Sequence, residues 1–114
     1  MQIDKTDLGN SVTRLKLVGK LDINGAGMAE IPIGLAAKDC RWMVVDMSEV
    51  SFVASLGVRH LVMAAKVLDK KGGKLVLFAA TGPVTEILET MGITDLIPLT
   101  PNEAAALDLA GARA

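Results

Sequence analysis

Aromatic residues and cysteine are scarce in this sequence of 114 residues. There is no tyrosine, and aromatic residues make up only 3% of the chain, which argues against a platform for stacking nucleic-acid bases. The single cysteine, Cys40, cannot form an internal disulfide, so the chain needs no oxidising compartment. One cysteine and one histidine also do not supply a protein-only metal site of the usual kinds.

An excess of charge of one sign is lacking as well. The 12 basic and 13 acidic side chains give a formal net charge of -1 and form no basic block, so nucleic acid is not expected as a partner. The polar N-terminal stretch 1–14 is unlike a signal peptide. Apolar runs such as residues 75–80 fall far below the roughly 18 residues that a membrane span needs. These absences predict a cytoplasmic protein without membrane insertion.

What the chain does contain is apolar residues, at 51%, enough for the core of one domain that is predicted to cover residues 1–114. Strands are predicted at residues 2–6, 11–18, 42–47 and 75–80, with a short last strand at 97–99. Residues 7–10 are predicted to form the turn of an N-terminal hairpin. Asp46 is expected to make a structural hydrogen bond to a neighbouring loop, and Cys40 to be buried.

The clearest helical pattern covers residues 55–71, where the apolar residues fall on one stripe and Gly72 follows as a left-handed cap. With the strands on either side, it predicts two parallel strands joined by a right-handed crossover. Further helices are predicted at 82–92 and at 104–110, the second opened by a capping box at residues 100–103 with Pro101 at its first position. A helix at 26–38 is expected to be kinked or to start late because of Pro32.

The segment 48–57 is expected to link the carboxyl end of a central strand to the helix at 55–71, where open α/β sheets tend to place function. From the residues alone, Ser55 is predicted to be the N-cap, with its hydroxyl accepting from a backbone N–H near Val58. A hydrolase-type serine is not supported. Val53 replaces the first glycine of G-x-S-x-G, and the only histidine, His60, lies roughly 140° around the helix from Ser55. We therefore expect no catalytic residue and no enzymatic activity.

A modification switch fits the same position better. A phosphate on Ser55 would add about -1.5 to -2 charges at a helix N-terminus, where the helix dipole and free N–H groups stabilise it. Arg59 follows one helical turn later and could pair with that phosphate. Such a group would leave the fold intact and would repel a partner that docks on the same helix end with an acidic or apolar surface.

Five motifs occur in an order and spacing that resemble a known family. They are VGKLD at residues 18–22, the apolar strand through Asp46, VSFVASLG at 50–57, Gly72-Gly73, and the segment from GPV at 82–84 to Met91-Gly92. In this respect nearly the whole chain resembles the STAS domain, and within it the small bacterial anti-sigma factor antagonists. The resemblance implies an α/β fold with a mixed β-sheet of four to five strands flanked by about four helices, and no enzymatic activity.

The resemblance also implies a role in transcription regulation. In the antagonist branch, an anti-sigma factor that is also a serine kinase binds the dephosphorylated domain, which frees a sigma factor. The kinase then phosphorylates the serine that Ser55 matches, and a phosphatase resets the switch. Ser55 is accordingly the candidate phosphoacceptor, and no cofactor or metal is expected. The candidate partner-binding residues are Asp22, Ile23, Asn24, Ala54, Leu56, Gly57, Arg59 and Met63.

Three positions depart from the family pattern. Ala54 stands where the family has an acidic residue, Leu56 where it has a hydroxyl residue, and Arg59 where it has a second glycine. These departures favour an alternative, a constitutive STAS adaptor or scaffold subunit, for example of a lipid-transport complex, in which Ser55 only caps a helix. A small-ligand or nucleotide sensor ranks last, since no phosphate-cradling glycine loop is present. Arg59 and Met63 fit either a solvated face or an adaptable contact patch.

Overall fold

The computed structural model describes residues 1–110 as one five-stranded sheet with helices on both faces. The strands are β1 (Gln2–Gly9), β2 (Val12–Leu21), β3 (Trp42–Val53), β4 (Lys74–Phe78) and β5 (Leu99–Thr100). The α-helices of the described residues are α1 (Ile23–Asp39), α2 (Ser55–Lys70), α3 (Gly82–Thr90) and α4 (Glu103–Ala110). The predicted α/β class, strand number and helix number are confirmed. Residues 111–114 of the predicted domain lie outside the described part.

The sheet is mixed, with the strands in sequence order. β1 pairs antiparallel with β2, whereas β2, β3, β4 and β5 run parallel to one another. The predicted pairing of β3 with β4 through α2 is confirmed, and α1 connects β2 to β3 in the same manner. Because Leu21 pairs with Val53, β2 and β3 end side by side. α1 and α2 both begin next to these carboxyl-terminal strand ends.

Side chains that alternate along the strands fill two cores of unequal size. Met43, Val45 and Met47 of β3 point into the larger core, under α1, α2 and α3. On the opposite face Val44 packs with residues of β4 and α4 in a smaller cluster. Cys40 is buried in the larger core, as predicted. The candidate residues Asp22–Asn24 and Ser55 lie at the starts of α1 and α2, the helices that cover the larger core.

The turn of the N-terminal hairpin lies further along the chain than predicted. β1 continues through Gly9, and the turn consists of Asn10 and Ser11, whose φ angles are 54° and 64°. Two consecutive residues with positive φ match the twist of paired antiparallel strands, which makes such turns favourable in hairpins. The prediction of a turn over residues 7–10 was therefore wrong in position, although the pairing itself is confirmed.

α1 starts earlier than predicted, because the VGKLD motif at residues 18–22 forms the end of β2 and then the cap of the helix, Asp22. The Asp22 side chain accepts a hydrogen bond from the Gly25 N–H at 2.9 Å. The helix continues through Pro32, which lies on its exposed side. The expected late start was wrong, since packing of the alanine-rich inner side of α1 against the sheet outweighs the local cost of proline.

β3 also exceeds its prediction, because most of the expected link at 48–57 is strand. It runs to Val53 and stays paired with β2 to its last residue. The Asp46 carboxylate accepts from the Ser48 N–H at 2.9 Å, so its hydrogen bond is structural but lies within β3 and not in a neighbouring loop as expected. This bond coincides with a register shift between β2 and β3.

The capping box predicted for α4 was wrong in detail. Thr100 belongs to β5, and its hydroxyl donates to the carbonyl oxygen of Leu77 at 3.0 Å. The cap is Asn102, whose side-chain oxygen accepts from the Ala105 N–H at 2.8 Å. Pro101 thus precedes the helix. β5 occupies Leu99–Thr100 instead of residues 97–99.

Candidate functional site

The candidate site lies where the ends of β2 and β3 meet the starts of α1 and α2. The Ala54 N–H donates to the carbonyl oxygen of Leu21 at 2.8 Å, which ties the last residue of β2 to the residue before α2. The two helices also pack against each other along their lengths. The two groups of predicted partner-binding residues, Asp22–Asn24 and residues 54–63, therefore begin at adjoining helix starts, and Met63 lies about two turns into α2.

Two glycines allow this close arrangement. A Cβ atom on Gly57 would lie 2.8 Å from Cδ2 of Leu21, and one on Gly25 would collide with the carbonyl oxygen of Lys20. Real Cβ atoms do not approach other atoms that closely, so both helices need glycine at their third residue. Gly57 is buried and lets α2 pack on β2.

Ser55 is not the N-cap. Ala54 holds that position with extended backbone angles, φ -108° and ψ 162°, and Ser55 is the first residue of α2. The Val58 N–H, predicted to bond the serine hydroxyl, donates to the Ala54 carbonyl oxygen at 3.1 Å. The prediction was wrong because β3 and its extended continuation reach to Ala54, which shifts the cap position onto an alanine.

The Ser55 hydroxyl is consequently free for chemistry. The residue is exposed, and within residues 1–110 its side chain makes no hydrogen bond. The helix end next to it has no side-chain cap, so its first N–H groups remain available to an anion. A phosphoryl group on this oxygen would lie at the positive end of α2.

The surroundings of Ser55 combine apolar and basic side chains. Ile23 is 72% exposed and Met63 is 55% exposed. Asn24 and Arg59 are exposed too, whereas Leu56 is half-buried. We call this set, together with the half-buried Asp22 and Ala54, the docking surface. Its members are Asp22, Ile23, Asn24, Ala54, Ser55, Leu56, Arg59 and Met63.

A groove between α1 and α2 continues from the docking surface. Its first hollow, of about 350 Å³, is lined by Gly27, Glu30, Leu56, Arg59, His60 and Met63. A second hollow, of about 190 Å³, follows toward the other end of the helices and is lined by Glu30, Gly34, Ala37, Lys38, His60, Met63, Ala64 and Val67. The α1 side of the groove, formed by Gly27, Glu30, Gly34, Ala37 and Lys38, was missed from the sequence.

Residues 1–110 hold no group of three or more histidine, cysteine, aspartate or glutamate side chains placed to bind a metal ion. In the same part of the chain, no helix has the length and apolar character needed to cross a membrane.

Comparisons with known proteins agree with this geometry. The family model described as "STAS domain" matches residues 5–106. The anti-sigma F factor antagonist of Paenibacillus polymyxa is 24% identical over 95 residues, which cover 82% of this chain and 81% of that protein. BtrV of Bordetella bronchiseptica, a candidate anti-sigma factor antagonist, is 30% identical over 87 residues, covering 74% of this chain and 75% of that protein.

A similar solved structure comes from Mycobacterium paratuberculosis and is described as an anti-sigma factor antagonist. It superposes with a TM-score of 0.84 at 26% identity, covering 96% of this chain and 93% of that one.

Proposed function

This chain belongs to the STAS domain family, and from that premise we propose that it acts as an anti-sigma factor antagonist controlled at Ser55. Its partner is an anti-sigma factor of the serine-kinase type, bound through the docking surface. Phosphorylation of Ser55 ends the interaction, and a phosphatase restores it. The protein thereby regulates transcription in the bacterial cytoplasm without being an enzyme. The names of its relatives support the general role, and the exposed, unbonded Ser55 hydroxyl supports the switch.

The geometry of Ser55 suits a phosphoacceptor. A kinase needs access to the hydroxyl oxygen, and the exposed position at the start of α2 provides it. The product would be stabilised by the uncapped helix end and by the exposed Arg59, which lies one turn further along. Within residues 1–110, Arg59 is engaged in no ion pair that would have to break first.

The same phosphate would disrupt docking without a change of fold. It would place about -1.5 to -2 charges beside the half-buried Leu56 and on the same docking surface as the exposed Ile23, where a partner is expected to bury apolar surface. Desolvating a charge opposite an apolar or acidic partner surface is costly, so the complex dissociates while the domain stays folded. The switch is therefore a local electrostatic event at the interface.

The deciding experiment captures partners from a lysate of the native cell with paired baits. Wild type is expected to recover a histidine-kinase-like ATPase, and Ser55→Glu is expected to lose it. Ser51→Glu is the matched control, since it adds the same charge at an exposed serine of β3 outside the docking surface. Recovery of one and the same ATPase by wild type and Ser55→Glu would contradict the switch.

A second experiment tests the modification directly. The captured ATPase, purified and supplied with Mg-ATP, is expected to add one phosphate to wild type and none to Ser55→Ala, as read from the intact mass. The transfer moves the terminal phosphoryl group of ATP onto the serine oxygen, with ADP as the leaving group and the hydroxyl proton passing to a base of the kinase. An unchanged wild-type mass at saturating kinase would refute Ser55 as the phosphoacceptor.

The altered residues around Ser55 favour a second candidate, a constitutive STAS adaptor. Ala54 provides no carboxylate to orient the serine hydroxyl, and Arg59 fills the position at which the family's second glycine permits close approach. In this case Ser55 has no switching role. Equal recovery of a transporter component by wild type and Ser55→Glu would support the adaptor over the antagonist.

A further inference from the structure

The outer side of α1 carries an exposed apolar stripe, whose first residue, Met28, accepts a contact from the Met1 ammonium at its sulfur, 3.8 Å away. It consists of Met28, Ile31 and Leu35, which are 59%, 69% and 55% exposed. Their spacing of three and four residues places them on one side of the helix, opposite the buried Ala29 and Ile33. A helix that is apolar on both sides is normally buried on both sides. The stripe therefore has the character of an interface.

Gly34 interrupts α1 next to this stripe, and packing within the domain gives no reason for it. A Cβ atom at this position would have nothing within 4 Å. Glycine weakens a helix interior, so alanine would be the better residue if only the fold mattered. Glycine does permit a second backbone to approach closely. The outer side of α1 thus offers a contact point for another helix, flanked by Ile31 and Leu35.

The charges beside the stripe specify which helix fits. Glu30 and Lys38 lie four residues before and four residues after Gly34, each about 6 Å along the axis from it. Both are exposed, and in the described part of the chain neither belongs to an ion pair. When two copies of α1 pack antiparallel and cross at Gly34, Glu30 of each copy lies opposite Lys38 of the other. The arrangement therefore forms two such ion pairs. A parallel arrangement would instead bring like charges together.

We propose that the outer side of α1 is a dimer interface for a second copy of this chain, with a two-fold axis passing Gly34. Such an interface is isologous, so each contact occurs twice. Ile31 of one copy packs against Leu35 of the other. The 190 Å³ hollow between α1 and α2, which has Gly34, Met63 and Val67 in its walls, receives an apolar side chain of the partner copy. This interface does not depend on Ser55 or on any anti-sigma factor, although it shares Met63 with the docking surface.

Sedimentation velocity over a concentration series of the full chain tests the proposal. The wild type is expected to shift from monomer to dimer as concentration rises. Ile31→Asp is expected to remain monomeric, because it buries a charge at the centre of the interface. Leu96→Asp is the matched control: it puts the same charge at an exposed leucine outside both the stripe and the docking surface, and it should dimerise like wild type.

Charge reversal tests the antiparallel geometry. Glu30→Lys and Lys38→Glu are each expected to weaken dimerisation roughly tenfold or more, since every single reversal creates two like-charge contacts. The double variant E30K/K38E restores opposite charges and should dimerise within a few-fold of wild type. A far-UV circular dichroism spectrum that matches the wild type verifies that the variants are folded, as expected for exposed positions.

Three results would overturn the proposal: a wild type that is monomeric up to its solubility limit, a dimer that survives Ile31→Asp, or a double reversal no better than the single ones. The first would assign the stripe to a different occupant, such as another protein or a lipid surface. The proposed function is unaffected by each of these results, because partner capture by wild type and Ser55→Glu reads the docking surface separately.

Discussion

The position of Gly57 is set by Leu21, whose Cδ2 atom would lie 2.8 Å and whose carbonyl oxygen 3.0 Å from a Cβ on the glycine. This contact brings the first turn of α2 directly onto the end of β2. α1 repeats the arrangement, with Gly25 against Lys20. The two helix starts differ in their caps, since α1 has Asp22 and α2 has Ala54.

Gly57→Ala is expected to destabilise the fold. The added methyl group would overlap the side chain of Leu21, which is completely buried and has little room to move. Overpacking of this kind costs about 1–3 kcal/mol in the free energy of unfolding. Urea denaturation followed by circular dichroism measures the change.

Gly27→Ala is the control for that variant, because a Cβ at this helical glycine has nothing within 4 Å. It is expected to stabilise the protein by about 1 kcal/mol through helix propensity alone. A Gly57→Ala variant that is as stable as Gly27→Ala would show that α2 can shift on β2 without cost.

Ala54→Asp is expected to stabilise the protein by about 1 kcal/mol, because it supplies the missing side-chain cap of α2. The Asp22 side chain already makes this bond to the Gly25 N–H in α1, and Gly57 is the equivalent donor in α2. Thermal unfolding of the unphosphorylated protein measures the gain.

Ser55→Ala serves as the comparison and should change the free energy of unfolding by less than about 0.5 kcal/mol, since the serine hydroxyl makes no bond that the fold needs. A loss of about 1 kcal/mol or more in Ser55→Ala would mean that the serine caps α2 in solution.

Lys71→Met is expected to weaken the junction between α1 and α2. The Lys71 Nζ donates to the carbonyl oxygens of Ala37 and Cys40, both at 2.6 Å, and to that of Lys38 at 3.2 Å. These carbonyls lie at the end of α1, so the ammonium group of the residue that follows α2 caps α1. Because Lys71 is exposed, solvent screening limits the expected loss to about 1–2 kcal/mol.

Lys70→Met is the matched control for Lys71→Met. It removes the same charge from the neighbouring exposed lysine, whose ammonium group makes no bond within residues 1–110. Its effect on chemical denaturation should stay below about 0.5 kcal/mol. Equal losses from the two variants would attribute the effect to net charge and not to the capping bonds.

The buried thiol of Cys40 is expected to lower the free energy of unfolding at alkaline pH. Burial raises the pKa of the Cys40 thiol above its ordinary value of 9.0. Between the unfolded and the higher folded pKa, the unfolded chain has lost the thiol proton and the folded chain still holds it. Stability therefore falls as pH rises above about 9.

Denaturant midpoints measured from pH 7 upward should show this decline in wild type and a shallower one in Cys40→Ala. Parallel curves for the two proteins would contradict the raised pKa of the thiol.

The sequence was sufficient for the elements with a regular pattern. α2 was placed within one residue at its end because its apolar residues keep one helical stripe, and Gly72 with φ of 79° marks the stop. The end of β3 could not be found in this way. Val50 and Val53 are both buried although they are three residues apart, because the register between β2 and β3 shifts next to Ser51. This irregularity breaks the alternation by which a strand is recognised.

The sequence predicted which residues make up the candidate site better than it predicted their positions. Ser55 and its neighbours were identified, but the cap was assigned to the serine because the extended backbone of Ala54 depends on where β3 ends. The outer stripe of α1 was overlooked for a different reason. An apolar residue in a helix pattern is assigned to the core by default, and only the fold shows that Ile31 and Leu35 face away from it.

The unequal cores described above have a consequence for local opening. One face of the sheet is covered by α4, whose eight described residues pack on the small cluster around Val44 and Phe78 and include Glu103, which forms an ion pair with Arg14 at 2.7 Å. Detaching this helix leaves the larger core packed, so it requires less free energy than global unfolding. The backbone amide hydrogens of α4 will therefore exchange with deuterium well before those of β2 and β3. For the same reason, limited proteolysis will cut the described part of the chain first in α4.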